Sequence, residues 1–443
     1  MQALCLTLLA FAIMLVLARL RVPLAAAIIV GAAALGMFFG RWPKDILLIA
    51  GAGVIKPMSI GLLLTITLLL AISEAMRITG QLERIVTLAS AFLRRPAVTL
   101  AALPALIGLL PMPGGALFSA PMVKSAAGDG RIGGDLLSAV NYWWRHIWEH
   151  WWPLYPGVIM AMTLTGSDLP TFAAFQMPLS LGMVATGLLI LRRIHAGLRI
   201  TAPPPPAGTK RQLLRATSGI WIILICWGLA AGAGRIIFGP MPLPPLPGEG
   251  PLSYTEQAFR TAREMVPLIL GLLGSFAWIC HGGRLTAGAV RRMILSKSML
   301  PLLGLVIAVM VFQNMLEAVG AAGQIGKGLN DLNMPVIVVV IVLPFVAGMV
   351  TGVAFGFVGV SFPIVIPLVA AMAGSPAGRP YWVLAYACGH LGMMISPIHL
   401  CYVVSNRFFG TTFGPVTKHI AAPAGIMAVI AAAYFIALKF VIG

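Results

Sequence analysis

Four ionisable residues stand within six positions in the stretch NYWWRHIWEHWWPLYPG (141–157): Arg145, His146, Glu149 and His150. Their types suit anion handling. A guanidinium stays protonated and presents a planar fork that matches a carboxylate, and an imidazole exchanges protons near neutral pH. On a continuous helix His146 and His150 would share a face at i, i+4, and Arg145 and Glu149 would share the neighbouring one and pair. The same stretch fits H-x-x-E-H, the inverted zincin pattern, in which two histidines hold zinc and the glutamate acts as base. The metal chemistry needs a third ligand, for which His390 and His399 are the candidates. The plain alternative is a structural ion pair beneath an aromatic belt of Trp143, Trp144, Trp148, Trp151 and Trp152.

Further polar and flexible positions recur elsewhere. PMPGGALFSAP (111–121) holds Gly114, Gly115 and Ser119, and VTGVAFGFVGVSFP (350–363) holds Thr351, Gly352, Gly356 and Ser361. Glycines permit close backbone approach. Helices starting after such turns point positive dipole ends at an anion, with Ser119 and Ser361 adding hydroxyls one turn on. HLGMMISPIHL (390–400) adds His390, Ser396 and His399, and Glu74 and Glu317 are two further carboxylates set in apolar runs. These residues divide into an expected substrate site (Gly114, Gly115, Ser119, Arg145, His146, Glu149, Thr351, Gly352, Ser361, His390 and Ser396) and expected ion-coupling groups (Glu74, His146, His150, Glu317, His390 and His399). No resident metal or cofactor is expected, only H+ or Na+ as a coupling ion.

What must position these groups is a membrane-embedded chain. Its 443 residues are 59% hydrophobic and only 9% charged, against roughly 25% charged in a soluble domain. Apolar runs at 2–18, 23–40, 57–73, 216–234, 265–280, 299–316, 334–350 and 421–442 each approach the roughly 20 residues that a helix needs to cross a bilayer. The expectation is an all-α polytopic membrane protein with no soluble domain, its first run a retained span. The net charge of +18 argues for orientation in a membrane, not for nucleic acid, because the cations lie in short loops. The five cysteines are scattered without metal or disulfide spacing.

The sequence reads as a duplication. ISEAMRITGQL (72–82) matches MLEAVGAAGQI (315–325), pairing Glu74 with Glu317. Ser119-Ala-Pro121 matches Ser361-Phe-Pro363, and His146 with Pro153 matches His390 with Pro397, all in order at nearly constant separation. The seam is AGLRITAPPPPAGTKRQLLR (196–215), whose prolines predict a stiff extended linker. This divides the chain into repeats at 1–195 and 216–443. In the first, PMPGG splits 97–127 into two pieces too short to cross, which predicts a re-entrant hairpin; each half then holds about five spans plus one hairpin. An odd number of spans inverts the second copy, as in many secondary transporters. With both termini outside, the cytoplasmic loops carry roughly twice as many Lys and Arg as the outer ones, as positive-inside orientation requires.

LPFVAGMVTGVAFGFVGVSFPIV (343–365), with PMPGGALFSAP, resembles the integral membrane family called domain of unknown function 401. That family is grouped with the ion-transporter superfamily, alongside divalent-anion/sodium symporters and gluconate and lactate permeases. The resemblance covers most of the chain. It implies an elevator-type carrier, homodimeric, in which each repeat gives scaffold helices, a re-entrant hairpin and a broken helix. The symporters carry a Ser-Asn-Thr triplet at each hairpin tip, whereas this chain has Pro113-Gly114-Gly115 and Thr351-Gly352. The expected function is secondary transport of a small organic anion, a carboxylate, across the cell inner membrane, coupled to H+ or Na+. The competing class is an intramembrane metalloenzyme built on His146, Glu149 and His150.

Overall fold

In a computed structural model, residues 2–92, 96–109, 115–128, 132–194, 208–239, 253–294, 299–321, 324, 335–373 and 378–442 are described. They are helical and hold no strand. Seven of their helices are long and apolar enough to cross a membrane: Pro57–Ile78, Leu169–Leu191, Ser218–Phe238, Met265–Gly282, Leu300–Ala318, Ala354–Ala371 and Phe413–Ile442. The chain is an all-α, multi-pass membrane protein. Burial sorts these helices by their surroundings. Ala354–Ala371 has 72% of its window buried inside the protein, whereas Ser218–Phe238 has 6%. Apolar helix surface left outside the protein's own packing is matched to lipid.

Eight helices position the two helix breaks. Pro96–Gly108 (α1) and Ala116–Ala127 (α2) form one helical pair, followed by Gly134–Arg145 (α3) and Pro156–Thr165 (α4). Val336–Thr351 (α5) and Ala354–Ala373 (α6) form the second pair, followed by Arg379–Met394 (α7) and Leu400–Phe408 (α8). The breaks α3/α4 and α7/α8 contain Pro153 and Pro156, and Pro397. Proline has no N–H to continue a helix but is tolerated in a first turn, where Pro156 begins α4. The first pair matches the sequence expectation of two short arms. In the second, α6 runs for 20 residues, long enough to cross by itself.

The packing crosses between the two halves of the chain. α4 packs on α6, and α8 on α2. Beyond these eight, helix Leu24–Phe38 packs on Leu300–Ala318, and Tyr254–Gly282 on Pro57–Ile78. Two glycines at matched places allow close backbone approach: a Cβ on Gly108 of α1 would collide with the carbonyl of Arg145, and one on Gly348 of α5 with that of Gly389. These two contacts follow a match that was passed over in the sequence, LPALIG (103–108) against LPFVAG (343–348).

The seam differs in part from the extended linker expected. Residues 196–207 lie outside the described residues, but Thr209–Ala216 is a helix. Thr209, Leu213 and Ala216 form its inward side, whereas Lys210, Arg211, Leu214 and Arg215 are exposed, and it packs on helix Gln81–Ser90. The Gln81 side chain donates to the Ala216 carbonyl at 2.6 Å.

Candidate functional site

α3 ends at Arg145, and residues 146–155 follow as turns. This overturns the expected helix through 150, and with it the shared faces on which the pairing of Arg145 with Glu149 and the H-x-x-E-H geometry rested. The reason is tertiary. α1 ends inside the protein, and its last carbonyls need donors. The unwound segment supplies them: the Trp148 indole donates to Ala105 O and that of Trp152 to Leu109 O, each at 2.9 Å, and the Tyr155 hydroxyl donates to Gly108 O. In the second half the Ser396 hydroxyl donates to Met349 O near the end of α5, at 2.7 Å. None of the five tryptophans of the stretch is exposed, and Trp148 and Trp152 brace the end of α1. Trp152→Phe keeps the ring and removes the donor. An unsatisfied buried carbonyl costs about 1–3 kcal/mol, so the variant is expected to melt several degrees lower in a thermal unfolding scan.

The two breaks meet through reciprocal tyrosines. Tyr142 of α3 donates to Met394 O at 3.0 Å, and Tyr386 of α7 donates to Glu149 O at 2.7 Å. Between them lie Arg145, His146, Glu149, His150, His390 and His399, all buried. The Glu149 carboxylate stands 3.8 Å from His146 Nε2 and 3.8 Å from His390 Nε2. His150 and His390 face each other with ring centroids 4.1 Å apart, while His146 sits against His399 at 4.7 Å. The two histidines of the zincin pattern therefore take different partners. The Arg145 guanidinium lies against Gly115, where a Cβ would collide with it. Among the described residues, Glu149 Oε2, His150 Nδ1 and both ring nitrogens of His390 have no hydrogen-bond partner. Such orphaned buried groups are rare and call for an explanation, of which a ligand is one.

The remaining expected residues divide. Gly114 lies outside the described residues. Gly352 ends α5 in the left-handed conformation, φ 64°, and its Cβ position is 3.0 Å from His399 N. The Ser119 and Ser361 hydroxyls are buried and donate back into their own helices, to Ala116 O and Phe357 O. Thr351 is half-buried and donates to Val353 O. Glu74 and Glu317 are not gathered with the cluster. Glu74 pairs with Arg77, and Glu317 pairs with Lys56 at 2.7 Å with 48% of its side chain exposed. Sequence reasoning missed Tyr142, Tyr386 and Cys401. The usable signal was position: Tyr142 and Tyr386 precede His146 and His390 by the same interval, and Cys401 opens the helix after the Pro397 break.

A cavity of about 530 Å³ borders this region. Pro153 lines it on the side of the break, Asp168 on the loop after α4, and Arg235 and Arg263 on the helices Ser218–Phe238 and Tyr254–Gly282. The Arg263 guanidinium is fixed by donation to Gly239 O at 2.6 Å and lies over the rings of Phe238 and Phe259.

The chain matches the family described as "Protein of unknown function (DUF401)" over residues 3–202 and 286–438. No curated protein matches it. Among solved structures, the Alcanivorax borkumensis YdaH transporter aligns at 13% identity and TM-score 0.44, covering 88% of each chain. Neisseria gonorrhoeae MtrF, of a class of antimetabolite efflux pumps, aligns at 13% identity and TM-score 0.48, covering 90% of this chain and 85% of its own.

Proposed function

We infer that this chain, which belongs to the DUF401 family, is a secondary carrier for a small organic anion, a carboxylate. The observation that carries this is the buried junction of the two helix breaks, where Arg145 meets Glu149 and four histidines, and where polar atoms of Glu149, His150 and His390 have no partner among the described residues. Ionisable groups held in a membrane domain are expensive and mark transport pathways and proton relays. Arg145 supplies the fixed positive charge, and the backbone around Gly115 and Gly352 approaches closely enough to complete the anion site. Glu149 and the histidines are groups that can exchange protons, which favours H+ over Na+ as the coupling ion.

The matched approaches at Gly108 and Gly348, the reciprocal tyrosines and the crossed packing of α4 on α6 and α8 on α2 support two inverted repeats with an elevator motion of the core. The carrier is proposed to act as a homodimer in the cell inner membrane, with both termini outside. The 530 Å³ cavity, with Arg235 and Arg263 on its wall, is suited to gather anions on their way to the break at Pro153.

A thermal-shift screen of purified protein against organic anions and sodium tests this, because a ligand of the folded state raises its melting temperature. An anion that stabilises the protein should also be taken up by proteoliposomes. Failure of every anion in both assays would remove the reading. Orientation is tested separately. In a variant without native cysteines, a cysteine at Gly208 should react only from the cytoplasm and one at Asp168 only from outside. Reaction of both from the same side overturns the arrangement of five spans and a hairpin.

A further inference from the structure

The geometry points to a site for one thiophilic d10 cation, of the Zn²⁺ or Cu⁺ class, held by His146, His399 and Cys401. All three side chains are buried, and one ring nitrogen of each histidine and the Cys401 sulfur lie within 4.8 Å of one another. Ligands around a single tetrahedral zinc stand about 3.3–3.6 Å apart. Closing onto an ion therefore asks each side chain to move by about an ångström or less.

Hydrogen bonds set both imidazoles for coordination. His146 Nδ1 lies 2.6 Å from the Tyr142 carbonyl, which can only accept, so Nδ1 carries the proton. The Tyr142 hydroxyl donates to Met394 O and hence accepts from His399 Nδ1 at 3.1 Å, and Met393 O stands 3.3 Å from the same nitrogen. Each histidine thus carries its proton on Nδ1, which leaves the Nε2 lone pair to accept from a donor or a cation. A ligating histidine is commonly held this way, its second nitrogen donating to a carbonyl or hydroxyl behind it. The ligands also come from both breaks: His146 follows α3, whereas His399 and Cys401 stand at the start of α8.

Two imidazoles and a thiolate select a borderline or soft cation over Mg²⁺ or Ca²⁺. Binding displaces the Cys401 thiol proton, and the Glu149 carboxyl group stands 3.8 Å from His146 Nε2. Three protein ligands leave one position open. This set differs from the H-x-x-E-H pattern, since His150 faces His390 and Cys401 takes its place. Binding of the cation does not depend on the chain's carrying an anion.

Cobalt(II) is the probe, added to the full-length protein in detergent after chelation and gel filtration. One equivalent should bind, with visible bands of tetrahedral intensity and a sulfur-to-cobalt charge-transfer band in the near ultraviolet, both removed by excess Zn²⁺. Cys401→Ser should lose the charge-transfer band, and His399→Gln should bind cobalt more than about tenfold more weakly. His150→Gln should change neither. A variant with Cys5, Cys226, Cys280 and Cys388 all replaced by serine should keep the band, which identifies the sulfur even if Cys401→Ser does not fold. Absence of stoichiometric cobalt, cobalt bound without the charge-transfer band, or loss of the band when only the other four cysteines are replaced would overturn the site.

Discussion

Arg145→Gln is expected to abolish anion binding, and Arg145→Lys to leave a folded protein that has lost most of its affinity. A charge-assisted hydrogen bond contributes about 1.5–3 kcal/mol, and a guanidinium offers a carboxylate two in parallel. Lysine keeps the charge but offers a point, so one such bond is lost, and each 1.4 kcal/mol is about tenfold in affinity. Glutamine removes the charge as well. Gly115→Ala supplies a test that leaves every charge in place: its methyl occupies the space now filled by the guanidinium. It should reproduce much of the loss by moving the fork. The measurements are anion-induced thermal stabilisation and proteoliposome uptake, with gel filtration to confirm that each variant is assembled. Unchanged affinity in Arg145→Gln would return the cluster to a structural role and leave the carrier without an anion site at this junction.

Gly352→Val is expected to have a comparable effect by another route. Gly352 ends α5 at φ 64°, and its N–H caps the helix by donating to Gly348 O at 2.9 Å. Left-handed backbone costs a non-glycine residue about 1–2 kcal/mol, and a β-branched one is a genuine outlier there. The added Cβ would also stand 3.0 Å from His399 N and 3.2 Å from His399 Cα. Backbone cannot swing aside as a side chain can, so the end of α5 must move away from the second break. Ligand stabilisation should disappear in Gly352→Val and fall in Gly352→Ala. Gly410 separates strain from collision, because its φ is 65° but nothing lies within 4 Å of its Cβ position. Gly410→Ala should lower the melting temperature modestly and leave binding intact. Normal binding in Gly352→Val would show that the end of α5 is distant from the ligand.

Much of this molecule was legible before the fold was known. Its membrane character follows from apolar runs of bilayer length, and the two short helices α1 and α2 follow from a glycine- and proline-rich interruption that leaves neither side long enough to span. The gathering of Arg145, Glu149 and the histidines was visible in part, because His146 and His390 recur beside matched prolines. The end of α3 at Arg145 was not. Nothing in RHIWEHWW stops a helix locally, and the segment unwinds because Trp148, Trp152 and Tyr155 find carbonyls on α1. Such partners are brought by tertiary structure. Glu74 and Glu317 fail for the converse reason. Their sequence match reflects equivalent places on two helices, yet both carboxylates turn to a surface Arg or Lys. Cys401 carries no local pattern at all, and its meaning arises only where α8 meets the end of α3.

The reciprocal tyrosines bear on how such a chain could have arisen. On the proposed duplication, Tyr142 and Tyr386 descend from one ancestral residue, and their acceptors, Met394 O and Glu149 O, from places one residue apart. Before the copies were joined, the same bond would have run in both directions between two identical half-length chains, as any contact across a two-fold axis must. Fusion then freed the copies to diverge. One side of the junction now carries Arg145 and Glu149 where the other carries Gly389 and Met393. A pocket shared by two identical chains can hold only what its symmetry repeats, so the asymmetric charge of this junction belongs to the fused chain and not to its ancestor.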